Sequence, residues 1–113
     1  MDDSCLFCRI VAGEIPASVV VQDDRFMAFR DISPQAPAHV VCIPRAHVAS
    51  LNEADDETMI GGLLRFGARV ARQEGLAERG WRAVINTNAD AGQTVFHLHL
   101  HVLGGRKLSW PPG

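Results

Sequence analysis

The chain has 113 residues, of which 47% are hydrophobic and 21% are charged, and its net charge is −2. This composition predicts one folded domain over residues 1–113 and excludes a disordered chain. The charge gives no electrostatic basis for binding nucleic acid, and no apolar run reaches the roughly 18 residues of a membrane span. Because the N-terminus lacks a signal-peptide pattern, we expect a cytoplasmic location.

The first half of the chain predicts a short helix followed by three strands. The helix covers residues 5–13 and ends at Gly13. Two β-rich runs flank Asp23 and Asp24, which predicts a hairpin with strands at 19–22 and 26–31. After a loop that contains two prolines, the apolar run HVVCIP predicts a central strand.

The second half predicts one long helix and two strands. Met59, Leu63, Phe66 and Val70 recur at helical spacing between about residues 55 and 74. The segments WRAVIN and VFHLHLHVLGG are typical of strands. The order of elements predicts an α+β fold, in which helices pack on one side of a five-stranded antiparallel sheet.

The segment HLHLHV, residues 97–102, contains three of the five histidines of the chain at strict alternation. On a strand, His97, His99 and His101 would share one face. A histidine-rich exposed strand and a metal site are two readings of this pattern. One metal ion could hold two of these side chains at most, because His97 and His101 would lie about 13 Å apart.

Phosphoryl chemistry is a third reading, because a neutral imidazole is a competent nucleophile and an adjacent imidazolium can neutralise negative charge. The preceding loop, Asp90 to Thr94, offers backbone and side-chain donors that could cradle an anion.

The pattern HLHLHVL resembles the signature of the histidine triad family of nucleotide hydrolases and transferases. The segments FMAFRDISPQAPAHVVCIPRAH and GQTVFHLHLHVLGGRKLSWPPG are similar to its Hint branch, the purine nucleoside phosphoramidases. The resemblance implies a dimerising HIT-like fold and a hydrolase that releases a purine nucleotide such as AMP from its phosphoramidates. It also implies a covalent nucleotidyl-histidine intermediate and no metal in the chemistry.

The resemblance implies a role for each matching residue. His99 attacks the α-phosphate, His101 contacts the phosphate and leaving group, and His39 fixes the tautomer of His99 through a hydrogen bond. The implied nucleotide-binding residues are Asp31, Ile32, Asn86, Gly92, Gln93, Thr94, Phe7, Ile10, Ile15, Phe29 and Trp110, the last reaching the partner subunit's site. From pattern alone, Phe7, Ile10, Ile15 and Phe29 are more typical of plain core. Asp31 is equally typical of a turn cap, and Trp110 of a hydrophobic plug.

Cys5 and Cys8 form a C-x-x-C pair, which is half of a tetrahedral zinc site. Relatives with this pair imply that His47 and His97 complete a closed structural site. The alternative is two reduced cysteines packed as small apolar groups, like Cys42.

Two other functions remain open on sequence grounds. One is another activity of the same family, either dinucleoside polyphosphate hydrolysis or nucleotidyl transfer. The other is a purine-nucleotide-binding regulatory scaffold.

Overall fold

The computed structural model describes residues 4–113. A five-stranded antiparallel sheet has the strand order β1-β2-β3-β5-β4. In chain order the elements are α1 (Leu6–Val11), β1 (Val19–Gln22), β2 (Phe26–Arg30), β3 (Ala38–Pro44), α2 (Glu57–Gln73), β4 (Trp81–Val84) and β5 (Leu100–Gly104). The predicted α+β class, strand number and two helices are confirmed. Neither helix within residues 4–113 combines the length and the apolar character that crossing a membrane requires.

Local hydrogen bonds place the turns and helix starts. One carboxylate oxygen of Asp23 accepts from the backbone N–H groups of Arg25 and Phe26, which closes the hairpin between β1 and β2. Asp56 caps α2 in the same way, accepting from the N–H groups of Thr58 and Met59. These short polar side chains fix where the regular elements begin.

The two helices cover opposite faces of the sheet, so the prediction that they share one side is wrong. Leu63 and Phe66 of α2 pack with Phe26 and its neighbours, whereas Phe7 of α1 packs with Phe29 on the other face. Residues of a strand alternate between faces, and β2 and β3 are apolar on both. Both faces therefore need a cover, and α1 supplies one.

The last strand is shorter than predicted, because β5 begins at Leu100 and leaves His97 and His99 before it. The ladder with β3 ends at the pair Cys42 and Leu100, and the N–H of Leu98 donates to the carbonyl of Val48 instead. Leu98 still faces the α2 core and the histidines still face the other side. The predicted division of faces is confirmed, although the strand bounds are not.

Gly67 lets α2 lie directly on β5. A methyl group there would overlap the Cδ2 of Leu100, whereas one at Gly61, also in α2, would meet nothing within 4 Å. We expect Gly67→Ala to lower the free energy of unfolding by about 1–3 kcal/mol through overpacking. Gly61→Ala, the matched control, should raise it by about 0.5–1 kcal/mol. Urea unfolding of both variants tests this, and equal effects would contradict the close packing.

Candidate functional site

His99 is held with one ring nitrogen engaged and the other free. Its side chain is 7% exposed, and its Nδ1–H donates to the carbonyl of His97 at 2.7 Å. A carbonyl can only accept, so this bond places the proton on Nδ1 and the lone pair on Nε2. Among the described residues, no group forms a hydrogen bond with that Nε2. The result is a neutral imidazole with an available nucleophilic nitrogen.

His39 and His101 form a second pair beside His99. The N–H of Gln35 donates to Nδ1 of His39, so the His39 proton lies on Nε2 and is donated to Nδ1 of His101 at 2.9 Å. His101 then carries its own proton on Nε2, where it can be donated to a ligand. The strand register explains the contact between His39 and His101. Val41 pairs with His101 across the ladder, so His39, two residues before Val41, is the diagonal neighbour of His101.

His39 therefore does not fix the tautomer of His99, contrary to the sequence-based expectation. The carbonyl of His97 does this, and His39 acts on His101. Backbone contacts of this kind leave no pattern in a sequence. Only the register of β3 against β5 decides which triad histidine His39 can reach.

Burial keeps the imidazoles neutral. It lowers the pKa of His39 and His99, although the charge of Asp31 acts in the opposite direction on both. Burial, together with the neighbouring His99 and His39, lowers the pKa of His101 to about 4. These lowered pKa values disfavour the imidazolium that the sequence-based reading included. Neutral rings suit a nucleophile and a hydrogen-bond donor.

The depressed pKa of His101 predicts an acid-sensitive fold. Below its ordinary pKa of about 6.5 the unfolded chain takes up a proton that folded His101, with a pKa of about 4, does not. Stability is therefore lost as the pH falls through this window. From pH 7 to 5, wild type should lose about 2 kcal/mol more unfolding free energy than His101→Asn, whose Oδ1 still accepts from His39.

Urea unfolding of both proteins at the two pH values measures this difference. The contributions of titrating groups that the substitution does not affect are the same in both proteins and cancel. Equal losses would contradict the buried, neutral His101.

Aromatic side chains border His99. The Phe7 ring meets the ring of His99 edge-on at 5.1 Å and that of Phe29 at 5.3 Å. Ile10 packs against the same cluster, Ile15 is half-buried, and Ile32 is fully exposed. Phe7, Phe29 and Ile10 thus form an apolar wall next to His99. Ile15 and Ile32 are not part of this packed cluster.

Asp31 and Asn86 each have side-chain polar atoms that remain available to hydrogen-bond a ligand. Oδ1 of Asp31 accepts from the N–H of Ser33, whereas Oδ2 lies 3.4 Å from Nε2 of His39 and remains able to accept. Asn86 is half-buried, and its side chain has no hydrogen-bond partner among the residues described. One carboxylate oxygen of Asp31 therefore caps the turn, as one sequence-based alternative predicts, while the other remains able to accept a hydrogen bond from a ligand.

The loop before the triad contributes fewer donors than its sequence predicts. Nε2 of Gln93 donates to the carbonyls of Ala49 and Val95, and its Oε1 accepts from the N–H of Asn88. The side chain therefore holds the loop and offers no amide to a phosphate. The N–H groups of Gly92 and Gln93 are also bonded within the loop.

Thr94 and Trp110 remain available to a ligand. Thr94 is exposed, and its side chain makes no hydrogen bond with any residue within 4–113. The Trp110 ring is 81% exposed, so it does not plug its own chain.

A separate tetrad of donor atoms lies behind the triad, formed by Cys5, Cys8, His47 and His97. The Nδ1 atoms of the two histidines are 3.3 Å apart, three of the four sulfur-to-nitrogen distances are 3.3–3.6 Å, and all four donor atoms lie within 4.8 Å of one another. Bonds of about 2.0–2.3 Å to zinc give a tetrahedron with edges of about 3.3–3.8 Å. The donor set therefore fits a metal ion of tetrahedral preference.

His97 is already arranged as a ligand. Its Nε2–H donates to the carbonyl of Pro44 at 2.8 Å, which leaves the Nδ1 lone pair facing the cysteines. All three cysteines are free thiols, and burial raises the pKa of Cys5 and raises that of Cys42 to about 12. The tetrad can bind a metal through Cys5 and Cys8, whereas Cys42 packs in the α2 core.

Comparison with known proteins agrees with this geometry. Residues 12–108 match the HIT domain family. A purine nucleoside phosphoramidase of Escherichia coli is 46% identical over 96% of this chain and 92% of its own. An uncharacterised HIT-like protein of Synechococcus elongatus is 50% identical over the full length of both.

Among solved structures, a HIT family hydrolase from Legionella pneumophila superimposes with a TM-score of 0.95. It is 49% identical and covers 97% of this chain and all of its own. The chain belongs to the histidine triad (HIT) family and is a hydrolase.

Proposed function

We propose that the protein hydrolyses purine nucleoside 5′-phosphoramidates, releasing a nucleotide such as AMP and an amine. The observation that carries this proposal is the free Nε2 of His99, whose tautomer the His97 carbonyl sets. The 46% identity to a purine nucleoside phosphoramidase supports the substrate class.

The first step joins Nε2 of His99 to the α-phosphorus and breaks the phosphorus–nitrogen bond of the substrate. The leaving nitrogen takes a proton from water and departs as an amine. The ring of His99 becomes positively charged in the nucleotidyl intermediate. The His97 carbonyl and the Asp31 carboxylate both favour that charge, as their effects on the pKa of His99 indicate.

The second step returns the enzyme to its starting state. Water attacks the phosphorus, the bond to His99 breaks, and a water proton is released to solvent. His101 donates from Nε2 to a phosphate oxygen in both steps, and His39 holds it in that tautomer. Asn86 and Thr94 supply further donors to the phosphate.

The nucleoside part of the substrate lies against the apolar wall. In this proposal Phe7, Phe29 and Ile10 contact the purine, and Oδ2 of Asp31 accepts from the ribose hydroxyls. The working unit is the single domain of residues 1–113, acting as a homodimer in which Trp110 reaches the partner subunit's site. Its exposure supports this placement, because 81% of the surface of Trp110 is open to a partner.

The tetrad is assigned to zinc. A bound metal would supply structural cross-linking and no chemistry, because Cys5, Cys8, His47 and His97 would fill a four-coordinate shell and leave no position for water. A cytoplasmic location would keep both thiols reduced and able to bind. The tetrad joins α1 to the segment before β5, so it also holds Phe7 near His99.

The substrate class is tested by comparing kcat/KM for adenosine 5′-phosphoramidate and for a diadenosine polyphosphate. We expect the phosphoramidate to be the better substrate by about tenfold or more, which is about 1.4 kcal/mol of barrier or more. The reverse order would assign the protein to dinucleoside polyphosphate hydrolysis. Binding of AMP without turnover of either compound would favour a regulatory scaffold.

A further inference from the structure

Four arginines border an open groove on the side of the sheet that α2 covers. The groove has a volume of about 670 Å³ and lies between α2 and the turn that joins β1 to β2. We call it the arginine groove and define it by Arg25, Arg65, Arg69, Arg72, Phe26 and Phe66. With Asp23 as its one acidic residue, the groove carries a net charge of +3 in a chain whose total is −2.

Two of the guanidinium groups are held over aromatic rings. Arg25 lies 4.9 Å from the centroid of Phe26, and Arg69 lies 5.7 Å from that of Phe66. Arg69 also contacts Asp23 at 3.7 Å, and the backbone N–H groups at the turn hold that carboxylate. These contacts orient two cations before any ligand arrives.

The other two guanidinium groups have no partner. The side chains of Arg65 and Arg72 make no hydrogen bond, ion pair or ring contact with any residue in the described range. They follow each other with Arg69 on one side of α2, at spacings of four and three residues, where like charges repel. This row spans about 10 Å of helix and would be stabilised by a multiply charged anion.

Gly62 keeps the groove open at the helix. A Cβ at this position would lie 3.0 Å from the Arg25 guanidinium and 3.1 Å from the Phe26 ring. Glycine in a helix interior is unfavourable, so this close approach gives it a reason to be there. A Cβ at residue 62 would require the Arg25 guanidinium and the Phe26 ring to shift by a few tenths of an ångström.

The groove is separate from the histidine site. Phe26 belongs to the cluster beneath α2, whereas the next residue, Met27, belongs to the cluster that contains Phe7. Since neighbouring residues of a strand point to opposite faces, the sheet lies between the groove and His99. A ligand in the groove cannot touch the triad.

We propose that the arginine groove binds an oligophosphate, either free or as the tail of a nucleotide. A net charge of +3 in so small a volume matches an anion that carries several charges within a few ångströms. Guanidinium groups pair with phosphate oxygens through two parallel hydrogen bonds, and Arg65 and Arg72 have all their donors available. An acidic peptide carries one charge per residue, about 3.3 Å apart, whereas an oligophosphate places more acceptor oxygens within the same length.

Calorimetric titration of the full chain with tripolyphosphate tests the proposal, and amide NMR shifts locate the site. We expect saturable one-to-one binding, with shifts at Gly62, Arg65 and Arg69 and none at His99. Arg65→Gln with Arg72→Gln should weaken binding about tenfold or more. Arg79→Gln with Lys107→Gln removes the same charge from a different surface pocket and should leave the affinity within about twofold.

The proposal would be overturned by a lack of saturation, by shifts confined to the triad, or by equal weakening in both double variants. Equally tight binding of an aspartate hexapeptide through the same arginines would also overturn it. A parallel titration with ATP distinguishes the source. Groove shifts with ATP identify a nucleotide tail as a ligand, whereas groove shifts with tripolyphosphate alone identify a free oligophosphate.

Discussion

His99→Ala should lower kcat/KM for adenosine 5′-phosphoramidate by at least about 10³-fold, because the variant lacks the atom that bonds to phosphorus. The Kd for AMP should change little, since Phe7, Phe29 and Asp31 are unaltered. Steady-state kinetics and calorimetry of the same preparations measure the two effects. Near-wild-type turnover would remove His99 from the mechanism and favour a binding scaffold.

Chemical rescue separates a lost nucleophile from a damaged fold. His99→Gly leaves a gap where the ring lay, and free imidazole added to the assay can occupy it. We expect the imidazole to restore measurable turnover in a concentration-dependent way. A variant inactive through misfolding would not respond.

Cys8→Ala should abolish bound zinc and lower the stability of the protein. Metal that binds only the folded state contributes about 4 kcal/mol at a thousandfold excess over its Kd, and this contribution disappears with the site. Metal analysis of the purified protein and urea unfolding with and without chelator measure the two effects. In wild type the chelator should reduce stability, whereas in Cys8→Ala it should have no further effect.

Cys42→Ala is the matched control, because Cys42 is equally buried but lies beneath α2, away from the tetrad. It should keep the wild-type metal content and lose only a small packing contribution. Wild-type protein without zinc, or equal metal content in both cysteine variants, would contradict the zinc assignment.

The sequence predicted those parts of the fold that depend on periodicity. Helical spacing placed α2, and the alternation of Leu98, Leu100 and Val102 with three histidines predicted which side chains face the core. The position of α1 could not be derived in this way. It depends on which face of the sheet lacks a cover, a property of the assembled molecule.

Hydrogen-bond partners within the site were also beyond the sequence. Gln93 has the chemistry of a phosphate ligand, yet the carbonyls of Ala49 and Val95 occupy its amide. His97 belongs to both sites, with its ring in the tetrad and its carbonyl on His99. The spacing of the three histidines indicates that they have different roles, but it does not show which role each histidine has. Those roles depend partly on which backbone carbonyl each ring contacts, and every residue has a backbone carbonyl.

The stereochemical course at phosphorus tests the covalent mechanism most directly. A single diastereomer of an adenosine phosphoramidothioate, of known configuration at phosphorus, would be hydrolysed in isotopically labelled water and the configuration of the product determined. Two successive displacements, first by Nε2 of His99 and then by water, predict net retention. Inversion would mean that water attacks the substrate directly, and the role proposed for His99 as a nucleophile would be wrong.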